Sequence, residues 1–99
     1  MFDRSPVLLI FRSASSGYSY IIDEMLRRLD PSVLKDLKVY TADQEKTPNL
    51  IKRFKVSTFP TGLFYLKGEL VDHFQGAIPF RQLEEKMRRL IGGPSPDAT

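Results

Sequence analysis

The chain has 99 residues with 15 Lys and Arg, 12 Asp and Glu, a net charge of +3, a single histidine and no cysteine. This length suits one domain with a modest core, and a composition of 41% hydrophobic and 27% charged residues excludes wholesale disorder. Without cysteine there are no disulfides, no thiolate metal sites and no thiol catalysis in this chain. The basic doublets Arg27-Arg28, Lys52-Arg53 and Arg88-Arg89 are scattered along predicted helices. They read as solvated helical faces, so no nucleic-acid partner is expected. No apolar run reaches the ~20 residues that span a bilayer, and the beginning lacks the pattern of a signal peptide. No membrane association and a cytoplasmic location are therefore expected.

After a short lead-in over residues 1–6, the apolar run Val7, Leu8, Leu9, Ile10 and Phe11 predicts a central strand buried on both faces. A small-residue loop follows, Ser13-Ala14-Ser15-Ser16-Gly17. Tyr18, Ile21, Ile22, Met25, Leu26 and Leu29 then keep the spacing of an amphipathic helix, with Asp23, Glu24, Arg27 and Arg28 opposite and Tyr20 pointing away from the stripe. Pro31 ends that helix, residues 32–37 read as a helical turn, and 38–42 as a second strand. Strand, helix, strand implies a parallel, right-handed unit. Thr47 and Pro48 are the expected cap and first turn of another helix, running through Leu50, Ile51 and Phe54.

Thr58-Phe59-Pro60-Thr61 is an irregular link. Residues 62–66 and 69–75 form a hairpin about a tight Lys67-Gly68 turn, and Gly76-Ala77 is a loop. Pro79 opens a last helix whose buried stripe is Phe80, Leu83, Met87, Leu90 and Ile91, and Gly92-Gly93 ends it. Residues 1–93 are thus one expected domain, and 94–99 a flexible tail. The order β-α-β-α-β-β-α predicts an α/β fold, with a central four-stranded mixed sheet flanked by helices and an antiparallel final hairpin.

A strand that ends in a small-residue loop and turns at once into a helix presents that loop at the helix N-terminus. Free N–H groups and the helix dipole favour negative charge there. Cysteines at positions 16 and 19 would make a redox pair, but this chain has Ser16 and Ser19. A hydroxyl is a weak nucleophile without a neighbouring base. His73 falls on a predicted strand with no spacing that links it to Ser16. A capping hydroxyl is the expected role for the serines, ahead of serine catalysis. Asp43, Gln44 and Glu45 read as a solvated turn rather than a metal site. Lys52, Arg53 and Lys55 before Phe59-Pro60, with Arg12 before the serine loop, either serve solubility, the favoured reading, or give the site a positive field that suits acidic partners.

The element order, taken with three local features, resembles the thioredoxin superfamily over residues 7–91. The features are Phe11 leading to Ser16-Gly17-Tyr18-Ser19; Phe59-Pro60-Thr61 before the hairpin; and Leu66-Lys67-Gly68-Glu69-Leu70 leading to Phe74-Gln75-Gly76-Ala77. The resemblance implies a thioredoxin-like fold and the activity of a thiol–disulfide oxidoreductase. It sets Ser16 at the place of the nucleophilic cysteine and Ser19 at that of the resolving cysteine, with Gly17 and Tyr18 the variable pair between them. Pro60 matches the proline that follows a cis bond against the redox site, and Phe59 would offer its backbone to an extended substrate. Two positions depart from the pattern: Ile10 stands where the family has a buried acid, and Ser15 where it has a tryptophan.

The implied partners are protein disulfides or dithiols, or a protein bound without chemistry; no cofactor and no metal are implied. In this serine form the domain is redox-inactive, so whether the chain is an enzyme stays open. The matched exchange of oxygen for sulfur at both positions favours replacement of two cysteines. The alternative is a naturally redox-dead interaction module using a groove of Tyr18, Tyr20, Phe59 and Pro60.

Overall fold

The structure is a computed structural model that describes residues 5–92. The first four residues of the lead-in, Gly93 and the tail 94–99 lie outside the described residues. The elements run β1 (Val7–Arg12), α1 (Gly17–Arg28), α2 (Pro31–Lys35), β2 (Lys38–Asp43), α3 (Pro48–Arg53), β3 (Thr61–Leu66), β4 (Glu69–Gln75) and α4 (Phe80–Leu90). The turn expected after Pro31 is the short helix α2, whose N-terminal N–H of Ser32 is taken by the Asp30 carboxylate at 2.9 Å. The four strands make one sheet in the order β2-β1-β3-β4. β1 runs parallel to β2 and antiparallel to β3, and β3 and β4 form an antiparallel hairpin.

The apolar run of β1 is explained by that position. It has hydrogen-bonded neighbours on both edges, and Val7, Leu8, Ile10 and Phe11 are all wholly buried. Leu8 and Ile10 point into the main core with Ile22 from α1 and Leu29 just after it, Val33 from α2, Phe64 and Phe74 from the hairpin, and Leu83, Met87 and Leu90 from α4. Phe11 points to the opposite face and meets the ring of Phe54 just after α3, with centroids 5.4 Å apart. Helices therefore cover both faces, α1 and α4 on one and α3 on the other.

Gly62 of β3 has no side chain because the Phe74 ring of β4 occupies its space; a Cβ there would sit 2.0 Å from the ring. The hairpin turns over Lys67 and Gly68, both with positive φ (54° and 82°), which is the backbone of a tight two-residue turn between twisted strands.

Two local expectations change. Tyr18 and Ile21 are 55% and 44% exposed, so the buried stripe of α1 starts at Ile22. Tyr18 and Ile21 instead line a shallow surface groove with Pro60 and Ile78, while Ser19 is the buried residue of that first turn. Thr47 stands at the start of α3 without capping it: its hydroxyl donates to the Asp43 carbonyl at 2.8 Å and closes the turn after β2.

Lys86 of α4 clamps Asp72 of β4, with Nζ 2.9 Å from each carboxylate oxygen. Burial opposes the Asp72 charge, but hydrogen bonds from Lys86 and from the His73 N–H, together with the lysine charge, outweigh it and hold the carboxyl below its ordinary value. Asp72 thus contributes stability that is complete above the unfolded carboxylate range, near pH ~4, and is lost as pH falls through the depressed native value. Urea titrations from pH 7 to pH 2 are expected to show Asp72→Asn costing stability at neutral pH and flattening the acid limb of the profile. Gly62→Ala is expected to cost about 2–3 kcal/mol by urea denaturation, since the Phe74 ring has to leave a filled core.

Candidate functional site

The loop between Arg12 and Gly17 is tied together by Ser13, which is 3% exposed. Its N–H donates to Ser19 Oγ at 3.1 Å, and its carbonyl accepts from the Ser16 N–H at 3.0 Å. Its hydroxyl donates to Glu45 Oε2 at 3.1 Å and lies 2.9 Å from Ser15 Oγ. A hydroxyl has one proton, so the bond between the two serines runs from Ser15 to Ser13. Ser19, buried on α1, and Ser16, at the helix start, are therefore joined through the backbone of one residue.

Ser16 occupies the N-cap position of α1, yet no side chain caps that helix. The Ser16 hydroxyl instead reaches across the fold and donates to the Phe59 carbonyl at 3.0 Å. The expected capping role therefore does not hold: the link 58–61 brings a carbonyl within reach of Ser16 Oγ, and the first-turn N–H groups of α1 stay uncapped. The Phe59–Pro60 peptide bond is cis and Pro60 is buried; the Pro60 carbonyl accepts from the Gly76 N–H at 2.7 Å. Ser16, Gly17, Tyr18, Phe59 and Pro60 are thus gathered at one end of the sheet, with Ser19 beneath them.

Two grooves flank this ridge. A small apolar one of about 90 Å³ is lined by Tyr18, Ile21, Met25, Pro60, Ala77 and Ile78 among others. A larger one of about 440 Å³ runs along the other side, past Ser13, Ser16, Tyr20, Asp23, Asp43 and Glu45. A single groove of Tyr18, Tyr20, Phe59 and Pro60 does not form. Residues two apart on a helix point about 200° apart, so Tyr20 faces the polar groove and Tyr18 the apolar one.

The polar groove also changes the electrostatic expectation. Arg12 does not project a free charge. Its Nη1 contacts both oxygens of Asp23 at 2.7 and 2.8 Å, and its Nε and Nη2 contact Asp43 Oδ1 at 3.0 and 2.7 Å. The bond to Asp23, partly offset by burial, raises the guanidinium pKa above its ordinary value. Arg12 faces Asp43 because the two are register partners in the parallel pair β1–β2. Lys52, Arg53 and Lys55 are exposed to solvent, and His73 is exposed on β4 and lines neither groove.

Glu45, expected in a solvated turn, has its carboxylate on the loop, accepting from Ser13 Oγ and from the Ala14 N–H at 3.2 Å. Sequence reasoning missed both Glu45 and the linking role of Ser13, and no local pattern marks a contact across 31 or 32 positions. Among the described residues, no group of three or more His, Cys, Asp or Glu is placed to hold a metal ion, and no helix is long and apolar enough to cross a membrane.

A family model described as Thioredoxin matches residues 3–89. The chain belongs to the thioredoxin family. Thioredoxin Y2 of Arabidopsis thaliana, a chloroplastic protein, is 29% identical over 86 residues, which is 87% of this chain and 52% of that protein. The chloroplastic thioredoxin M-type of Pisum sativum is 29% identical over 87 residues, 88% of this chain and 51% of the relative. This thioredoxin-family chain spans about half the length of the curated relatives it matches.

Among solved structures, oxidised mitochondrial thioredoxin 3 of Saccharomyces cerevisiae superposes with a TM-score of 0.76 at 21% identity, over 88% of this chain and 80% of that one. Oxidised thioredoxin O2 of Arabidopsis thaliana gives 0.78 at 23% identity, over 89% and 76% of the two chains. At those identities the likeness is one of fold, and it agrees with the mixed four-stranded sheet and its flanking helices. The cytoplasmic location expected from the sequence has no counterpart in these names, two of which read chloroplastic and one mitochondrial.

The double clamp on Arg12 yields a test. A lysine places one ammonium where a planar fork now serves two carboxylates. Arg12→Lys is expected to lower stability by about 1–2 kcal/mol in urea denaturation, with the larger loss at low salt.

Proposed function

We propose that this chain is a thiol–disulfide oxidoreductase domain of the thioredoxin family, silent in redox chemistry because Ser16 and Ser19 occupy the positions of its two cysteines. The observation that carries the proposal is the 3.0 Å contact between Ser16 Oγ and the Phe59 carbonyl, with Ser19 buried one turn further along α1. Position 16 lies at an uncapped helix start, where a thiol loses its proton more readily than in water.

With thiols at both positions, the thiolate at 16 attacks a sulfur of a substrate disulfide. A mixed disulfide forms and one substrate thiolate leaves. The thiolate at 19 then attacks the sulfur at 16, which releases the second substrate thiolate and leaves a disulfide between 16 and 19. Two electrons pass from the domain to the substrate, a protein disulfide whose flanking residues rest against Tyr18, Phe59 and Pro60. Serine forms no S–S bond, so in this chain the same surface binds without exchange.

A second proposal, a protein-interaction module with no chemistry in any form, has its own support. Ile10 is wholly buried in the core where the family has a proton-transferring acid, and Ser15 is exposed where it has a tryptophan.

The double variant Ser16→Cys/Ser19→Cys separates them. The oxidoreductase proposal expects an intrachain disulfide on mild oxidation, seen as loss of two titratable thiols in a monomer. It also expects catalysed reduction of insulin by dithiothreitol at least tenfold above the uncatalysed rate. A folded variant that closes the disulfide without speeding insulin reduction supports the interaction module. One that closes no intrachain disulfide overturns the assignment of the two positions.

A further inference from the structure

Glu45 stands on the turn between β2 and α3, far along the chain from the serine loop, and both of its carboxylate oxygens face that loop. Oε2 lies 3.1 Å from Ser13 Oγ and 3.2 Å from the Ala14 nitrogen, and Oε1 lies 3.4 Å from the same nitrogen. Ser13 in turn holds the Ser16 N–H with its carbonyl and Ser19 Oγ with its own N–H, while the Ser16 hydroxyl bonds the Phe59 carbonyl. Positions 16 and 19 are also joined directly, the Ser19 N–H donating to the Ser16 carbonyl at 3.1 Å, and Ser13 sets how that first turn is seated against the loop.

We infer that Glu45 is a positioning residue for this pair: its carboxylate holds the loop that seats positions 16 and 19 at the start of α1, and its charge opposes a negative charge at position 16. The inference rests on the assignment of those two positions proposed above.

The surrounding charges leave Glu45 as the unbalanced one. Arg12, from β1, is taken up by Asp23 of α1 and Asp43 of β2. Lys46, beside Glu45 in sequence, keeps an 82% exposed side chain and approaches Asp43 only at 3.8 Å. The polar groove that Ser16 shares thus contains three carboxylates and two cations. On the far side of Ser16 are the Phe59 carbonyl and an apolar groove with no charged residue. The helix start favours a thiolate at position 16, and the like charge of Glu45 works against it. In this serine chain the second effect is silent and the hold on the loop remains.

Glu45 is exposed on a turn, so substitutions there leave the core intact. Glu45→Gln keeps an acceptor oxygen for the Ala14 N–H and removes the charge; Glu45→Ala removes both. In the Ser16→Cys background, iodoacetamide alkylation at pH 7 is expected to run about threefold faster with Glu45→Gln, with the midpoint of its pH profile moved down. In the Ser16→Cys/Ser19→Cys background, the intrachain disulfide, measured against a glutathione buffer, is expected to be about tenfold less favoured with Glu45→Ala than with Glu45→Gln.

An unchanged rate and midpoint in the glutamine variant overturns the role of the charge. Equal disulfide equilibria in the two variants overturn the role of the acceptor. Failure of the double variant to close a disulfide while Glu45 is intact counts instead against the site assignment itself, so the two failures are told apart.

Discussion

The backbone of β1 is hydrogen-bonded to β2 on one edge and to β3 on the other, and its side chains are buried above and below the sheet. A strand held on four sides has a fixed end. Where β1 stops, at Arg12, the start of α1, the end of β2 and the start of β3 are all within reach. The register pairs Arg12 with Asp43 and Phe11 with Thr61, so the β2–α3 turn and the Phe59–Pro60 link both arrive beside the serine loop. Every contact of the candidate site follows from that convergence: Glu45 onto Ser13, Asp43 onto Arg12, and Phe59 onto Ser16.

The polar groups at this end are satisfied through one another. Among the described residues, no buried side-chain nitrogen or oxygen lacks a hydrogen-bond partner. The Ser13 backbone and hydroxyl serve four neighbours, and the Arg12 fork serves two carboxylates. Such a network fixes geometry better than it adds stability, since each bond replaces one to water. Here it holds the Ser16 N–H and the Ser19 hydroxyl on the backbone of Ser13.

The two sides of the Ser16 ridge differ in character. Toward Pro60 and Ile78 the surface is apolar, with a small groove of about 90 Å³. Toward Asp23 and Glu45 it is polar, with Arg12 paired to Asp23 and Asp43 and the Glu45 carboxylate bonded to the loop. Tyr18 and Tyr20 belong to opposite sides, Tyr18 beside Pro60 and Tyr20 on the polar groove. Tyr18 is 55% exposed at the rim of the apolar groove.

The sequence by itself determined the elements and their order. An unbroken apolar run at β1, a 3.6-residue period in α1 and α4, and Lys67-Gly68 at the hairpin are local signals, because each reflects how a short segment meets core or solvent. The pairing of Ser16 and Ser19 with Phe59-Pro60 was legible only through the combination of motifs, which carried the family resemblance. Tertiary structure alone decided that Tyr18 is exposed, that Ser16 reaches Phe59 rather than capping its helix, that Arg12 is neutralised, and that Glu45 holds the loop. Those outcomes depend on where a strand end is brought relative to a distant turn. Hydrophobic periodicity does not encode that placement; sheet register does.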